Sequence, residues 1–163
     1  MKAKAYMTRL HYILEILSFV VLAICFILGA IGMGVLPDQV PSHYDFQGNV
    51  DGYSSPAVIF LMPAIMLVTN LIISLMLHLM PMSAWNMPFD VNPKFAVPVY
   101  RDMIMMMVLL ELECSVYTLA FTIIFWNQWG DMFLPSTGIF VVILFATIIW
   151  LCVKASAHNR GRR

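Results

Sequence analysis

Charge is scarce in this chain. Only 11% of its 163 residues are Asp, Glu, Lys or Arg, and nine bases offset nine acids to a net charge of zero. Soluble domains carry roughly 25% charged residues, so a soluble enzyme fits poorly. There is no basic excess to neutralise phosphates, which argues against nucleic acid as a partner. Disorder needs high charge and low hydrophobicity, whereas 61% of this chain is hydrophobic. Cysteine is sparse too. Cys25, Cys114 and Cys152 all fall in apolar stretches, so structural disulfides are not expected. No G-x-S-x-G, H-E-x-x-H or phosphate-loop motif occurs. No nucleophile–base constellation emerges, so no catalytic residue, enzyme activity or cofactor is expected.

What is present is apolar length. Four stretches stand out, at about 12–35, 57–80, 103–126 and 134–153. A bilayer core needs roughly 20 helical residues. The stretches do not alternate in polarity as barrel strands would, so they read as helices. The first is too long for the roughly 7–15 apolar residues of a signal peptide, and an uncleaved helix is expected. The fold class is therefore an all-α, polytopic membrane bundle of four transmembrane helices in a single domain, 1–163, with the lipid bilayer as its partner.

Charge placement sets the orientation. Lys2, Lys4, Arg9, Lys94, Arg101, Lys154, Arg160, Arg162 and Arg163 all fall on one side of a four-helix layout. The positive-inside rule places both termini and the 81–101 loop in the cytoplasm. Pro81, Pro88, Pro93 and Pro98 make that loop read as a connector rather than a domain. Pro63, inside the second stretch, is expected to kink it.

The outer loop, 36–56, is longer than a linker needs to be. Gly48-Asn49 and Asp51-Gly52 are turn dipeptides, so a compact turn or hairpin is expected. His43, Asp45, Gly48 and Asp51 are its candidate ligand-binding residues. His43, Asp45 and Asp51 could together ligate zinc, but a single His with no second His or Cys nearby favours structural hydrogen bonding, and no metal is assigned. Leu36-Pro37, Val40-Pro41, His43, Gly48 and Asp51, set between two membrane helices, resemble the Leu-Pro-x-x-Ile-Pro-x-His…Gly…Asp pattern of a bacterial membrane domain of unknown function. That domain forms the N-terminal part of SdpI-type immunity proteins, and the four-helix layout is similar to the short members of that group. The resemblance implies a bacterial plasma-membrane protein that protects against, or senses, a secreted peptide toxin or envelope ligand.

Polar residues inside the stretches form stripes. His11, Glu15, Ser18, Leu22, Cys25, Gly29 and Gly32 share one face of the first helix; Asn70, Ser74 and His78 line the second; Glu111, Ser115, Thr118 and Thr122 line the third. At about 1.5 Å per residue, Asn70 counted from Met80 and Glu111 counted from Arg101 both reach the midplane, so an Asn70–Glu111 hydrogen bond is expected. His11, Arg9 or His78 is expected to neutralise Glu15. Ionisable groups at such depth are functional candidates by default. Glu111 is either a protonated brace between helices or the centre of a small proton-linked transporter or channel-like oligomer. Glu113 points away from Glu111 with Tyr117 and marks either a second contact surface or a homo-oligomer seam. The remaining alternative is an accessory subunit of a larger membrane complex.

Overall fold

The computed structural model describes residues 1–45 and 49–162. Four helices carry the architecture: α1 (Arg9–Gly32), α2 (Leu61–Leu79), α3 (Ala96–Trp126) and α4 (Phe133–Asn159). Each is long and apolar enough to cross a membrane. A two-stranded antiparallel sheet, β1 (Val40–Tyr44) and β2 (Val50–Ser54), joins α1 to α2. α3 is the central helix and packs on all three others, whereas α4 packs chiefly on α3.

The ends of these helices follow from caps and charge partners more than from apolar counting. α1 begins at Arg9 because Thr8 caps it: the Thr8 N–H donates to His11 Nδ1 at 2.9 Å. α2 follows a short 3-10 run, Pro56–Phe60, and starts at Leu61. Pro63 thus lies in its first turn, where a missing N–H costs nothing, and the expected mid-helix kink has no basis. α3 starts at Ala96 rather than 103 and takes in Pro98 and Arg101. Asp102 is accordingly in its second turn and buried. α4 continues past Val153 to Asn159 because Lys154 and His158 have a partner there. Lys154 Nζ lies 3.1 Å from Asp102 Oδ1, and His158 Nδ1 bonds Asp102 Oδ2.

Both termini lie at one end of the bundle. The N-terminal 3-10 turn, Ala3–Tyr6, inserts Ala3 against Leu77, Met82, Ile104 and Val108, and the Ala3 N–H donates to the Met80 carbonyl at 3.0 Å. The 81–95 connector is packed here as well. Asn159 Oδ1 accepts from the Asn92 N–H at 2.7 Å, and its Nδ2 donates to the Asp90 carbonyl at 2.8 Å. The hairpin occupies the opposite end.

Buried polar side chains between the helices and exposed apolar ones outside set this chain apart from a soluble protein. The interior holds Ser18, Asn70, Glu111, Ser115, Thr118 and Thr122, while Ile16 is 63% and Val142 70% exposed. Lipid takes the place of an apolar core for those outer side chains, so the chain is a multi-pass membrane protein.

Candidate functional site

Two regions bring the candidate residues together. The first is the hairpin. Val40 pairs with Ser54, Pro41 with Tyr53, His43 with Gly52 and Tyr44 with Val50, with register shifts on either side of His43. His43 Nδ1 bonds Asp51 Oδ1 across the strands, and Ser42 Oγ and Ser54 Oγ lie 2.8 Å apart. Asp45 accepts from the Asn49 N–H at 2.8 Å and from Asn49 Nδ2 at 2.9 Å. Three of the four predicted loop residues thus hold the loop in shape; Gly48 lies outside the described residues. No group of three metal-ligating side chains occurs among the described residues.

The hairpin has a seat. Val40 is fully buried with Ile59 and Phe125, against Leu36, Phe60, Trp126 and Phe133. The Tyr44 ring lies 5.3 Å from the Phe133 ring, over Gly130, where a β-carbon would stand 2.2 Å from Tyr44 Cε1. Burial there pushes the Tyr44 hydroxyl above its ordinary pKa, and Tyr53 adds to the shift. Beneath this seat, Phe60 fills the notch at Gly29 and Trp126 packs at Gly32. His43, Val50, Asp51 and Tyr53 remain exposed on the hairpin's outer surface.

Residues 20–67 match a Domain of unknown function (DUF1648). No curated protein and no solved structure matches the chain. The DUF1648 segment contains the outer half of α1, the hairpin and the first turns of α2. It therefore holds both the loop pattern and most of the seat: Gly29, Gly32, Val40, Ile59 and Phe60.

The second region is the interior between α1, α2 and α3, reached mainly by residues outside the DUF1648 segment. Every residue of the α1 stripe is buried, as are Glu111, Ser115, Thr118 and Thr122. Asn70 Nδ2 donates to Ser115 Oγ at 2.9 Å and lies 3.5 Å from both Ser18 Oγ and the Glu111 carbonyl oxygen. The expected Asn70–Glu111 contact thus runs to the backbone of Glu111 and not to its carboxylate. Glu15 accepts from Ser74 Oγ at 2.6 Å and from His78 Nε2 at 2.9 Å. His78 is therefore its partner; His11 is committed to the α1 cap. Glu113 accepts from the Thr147 hydroxyl of α4. Tyr117 stacks on Phe140 at 4.3 Å and its hydroxyl lies 2.7 Å from Thr137 Oγ1. This face meets α4 of the same chain, which makes it the second contact surface, and it remains half-buried.

Sequence reasoning missed the Asp102–Lys154–His158 cluster. With the fourth helix ended at 153, His158 fell in a tail and could not be placed opposite Asp102.

Proposed function

We propose that the chain is a non-enzymatic protein of the bacterial plasma membrane that resembles SdpI-type immunity proteins, with both termini cytoplasmic, and that its hairpin contacts a secreted peptide or envelope ligand. The observation carrying this reading is the seated hairpin. It is fixed to the bundle through Val40 and Tyr44 yet presents His43, Val50, Asp51 and Tyr53 outward. A two-stranded sheet also has unpaired backbone groups along its outer edges, onto which an extended peptide can add. The orientation rests on charge: every base among the described residues sits in or beside the end that bears the termini, where the positive-inside rule expects cytoplasm.

The test is protection. Cells sensitive to the secreted peptide toxins that SdpI-type proteins counter are given this chain, or its Val50→Asp/Tyr53→Ala variant. The reading expects survival with the native chain and killing with the variant at equal membrane abundance. Killing in both cases, with the native chain properly inserted, would reject it.

A further inference from the structure

The interior between α1, α2 and α3 is short of hydrogen-bond donors. Around Asn70 and along α3 the hydroxyl protons are directed back onto their own helices. Ser18 donates to the Glu15 carbonyl at 2.7 Å, Ser115 to the Glu111 carbonyl at 2.8 Å, and Thr122 to the Thr118 carbonyl at 2.8 Å. Toward one another these hydroxyls offer only lone pairs. Asn70 must therefore turn its amide nitrogen to Ser115 and Ser18, which sends its Oδ1 the other way. Asn70 Oδ1 has no partner, and neither do Glu111 Oε1 and Oε2. Both residues are completely buried. The unmatched atoms are all acceptors, and they belong to one layer of the bundle.

The two interior glutamates sit in unlike surroundings. Glu15 receives the Ser74 hydroxyl and the His78 imidazole, donors suited to an anion. Glu111 receives none, yet lies within electrostatic reach of Glu15. A buried carboxylate with no partner is not sustained in such a setting, whereas a protonated carboxyl is itself a donor for the orphaned acceptors. Carboxyls whose environments differ in this way divide into one that keeps its charge and one that keeps its proton.

We infer that this interior is a proton-binding site: Glu111 holds one proton, exchangeable with water at the terminal end of the bundle through Glu15 and His78. The inference stands apart from the hairpin reading. In the exchange, protonated His78 gives its Nε2 proton to Glu15 and becomes neutral. Glu111 gives up its own proton by the reverse of this path; only then does Glu15 pass a proton to the emptied Glu111 and return to its carboxylate form, while His78 regains a proton from water. The side chain of His78 is 28% exposed, which provides the contact with solvent. Other ionisable groups near the path are already engaged. His11 of α1 is held by Thr8 and lies within reach of Arg101 and Asp102. Asp102 is paired with Lys154 and hydrogen-bonded to His158 of α4. On α3 itself, Glu113 is turned toward α4, where its Oε1 accepts from Thr147 and its Oε2 has no partner, and Cys114 lies beside it.

Infrared spectroscopy of the full chain in liposomes tests this directly. The chain has three glutamates, Glu15, Glu111 and Glu113. A carboxylic-acid carbonyl band at neutral pH should shift on ¹³C-glutamate labelling and on transfer to D₂O. It should be lost or weakened in Glu111→Gln and kept in Glu15→Gln, with slower deuterium exchange in His78→Ala. A wild-type spectrum with no glutamate-derived acid band would overturn the inference without reliance on any variant. So would a band unchanged in Glu111→Gln.

Discussion

Lys154 Nζ lies 3.1 Å from Asp102 Oδ1, and this contact ties the end of α4 to the start of α3. His158 takes the other carboxylate oxygen. Asp102 is buried, whereas Lys154 is 43% exposed. Asp102→Ala leaves the Lys154 ammonium and the His158 ring facing an empty site. Removing one partner of a fully buried ion pair costs about 3–5 kcal/mol, but the exposure of Lys154 screens its share. A loss of about 1–3 kcal/mol is expected. Thermal unfolding in detergent measures it, and faster acetylation of Lys154 should accompany it. Unchanged stability together with unchanged Lys154 reactivity would show that the clasp contributes nothing.

Gly29 gives a second expectation. A β-carbon there would lie 2.6 Å from Phe60 Cε1, closer than real contacts allow. Gly29→Ala must push the Pro56–Phe60 turn away from α1, at about 1–3 kcal/mol for an overpacked site. Phe60→Leu should relieve part of that cost in the double variant, giving a favourable coupling energy in a double-mutant cycle. Additive effects would mean that ring and notch do not meet.

Tyr44 predicts a pH dependence. Its hydroxyl is held above the ordinary value by burial. A raised folded-state pKa favours the protonated form in the fold, so its stabilising effect is complete below about pH 10. That effect fades as pH rises through the shifted value. The hairpin should loosen over that alkaline window, with hydrogen exchange at Val50–Ser54 rising as phenolate absorbance appears. Tyr44→Phe should remove the alkaline dependence.

Sidedness is the fourth expectation. The three native cysteines are Cys25, Cys114 and Cys152, all within the spans. In a cysteine-free background, Asn49→Cys should react with an impermeant maleimide on intact cells, whereas Lys4→Cys should react only after permeabilisation. The reverse pattern would invert the proposed orientation.

Much of the interior was legible in the sequence. Spacings of three and four along α1 picked out His11, Glu15, Ser18, Leu22, Cys25, Gly29 and Gly32, and these are its buried residues. Helical periodicity is local, so one chain segment suffices to reveal a face. The choice of partner was less legible. Nothing in the spacing says that Asn70 meets the backbone of Glu111 rather than its carboxylate, because hydroxyl protons directed along each helix decide which way the amide turns. The helix ends were misplaced for a related reason. Arg101, Lys154 and His158 look like loop and tail residues by polarity, and only the placement of Asp102, Lys154 and His158 across two helices shows why the helices extend. For the hairpin, His43 and Asp51 were read as shape-holding residues, and the structure pairs them. The aromatic seat left no such local mark, since Phe60, Trp126 and Phe133 are far apart along the chain.

Asn159 clasps the 81–95 connector through Asn92 and Asp90, residues 67 and 69 positions earlier. During synthesis the connector therefore leaves the ribosome well before its clasp exists. Three helices can be threaded into the bilayer while that segment is still unfastened, and it locks only when the last turn of α4 emerges. A nascent chain arrested ahead of Asn159 should show a protease-sensitive connector, and one released beyond it should not. The order of translation thus makes the fastening of this surface the last step of assembly.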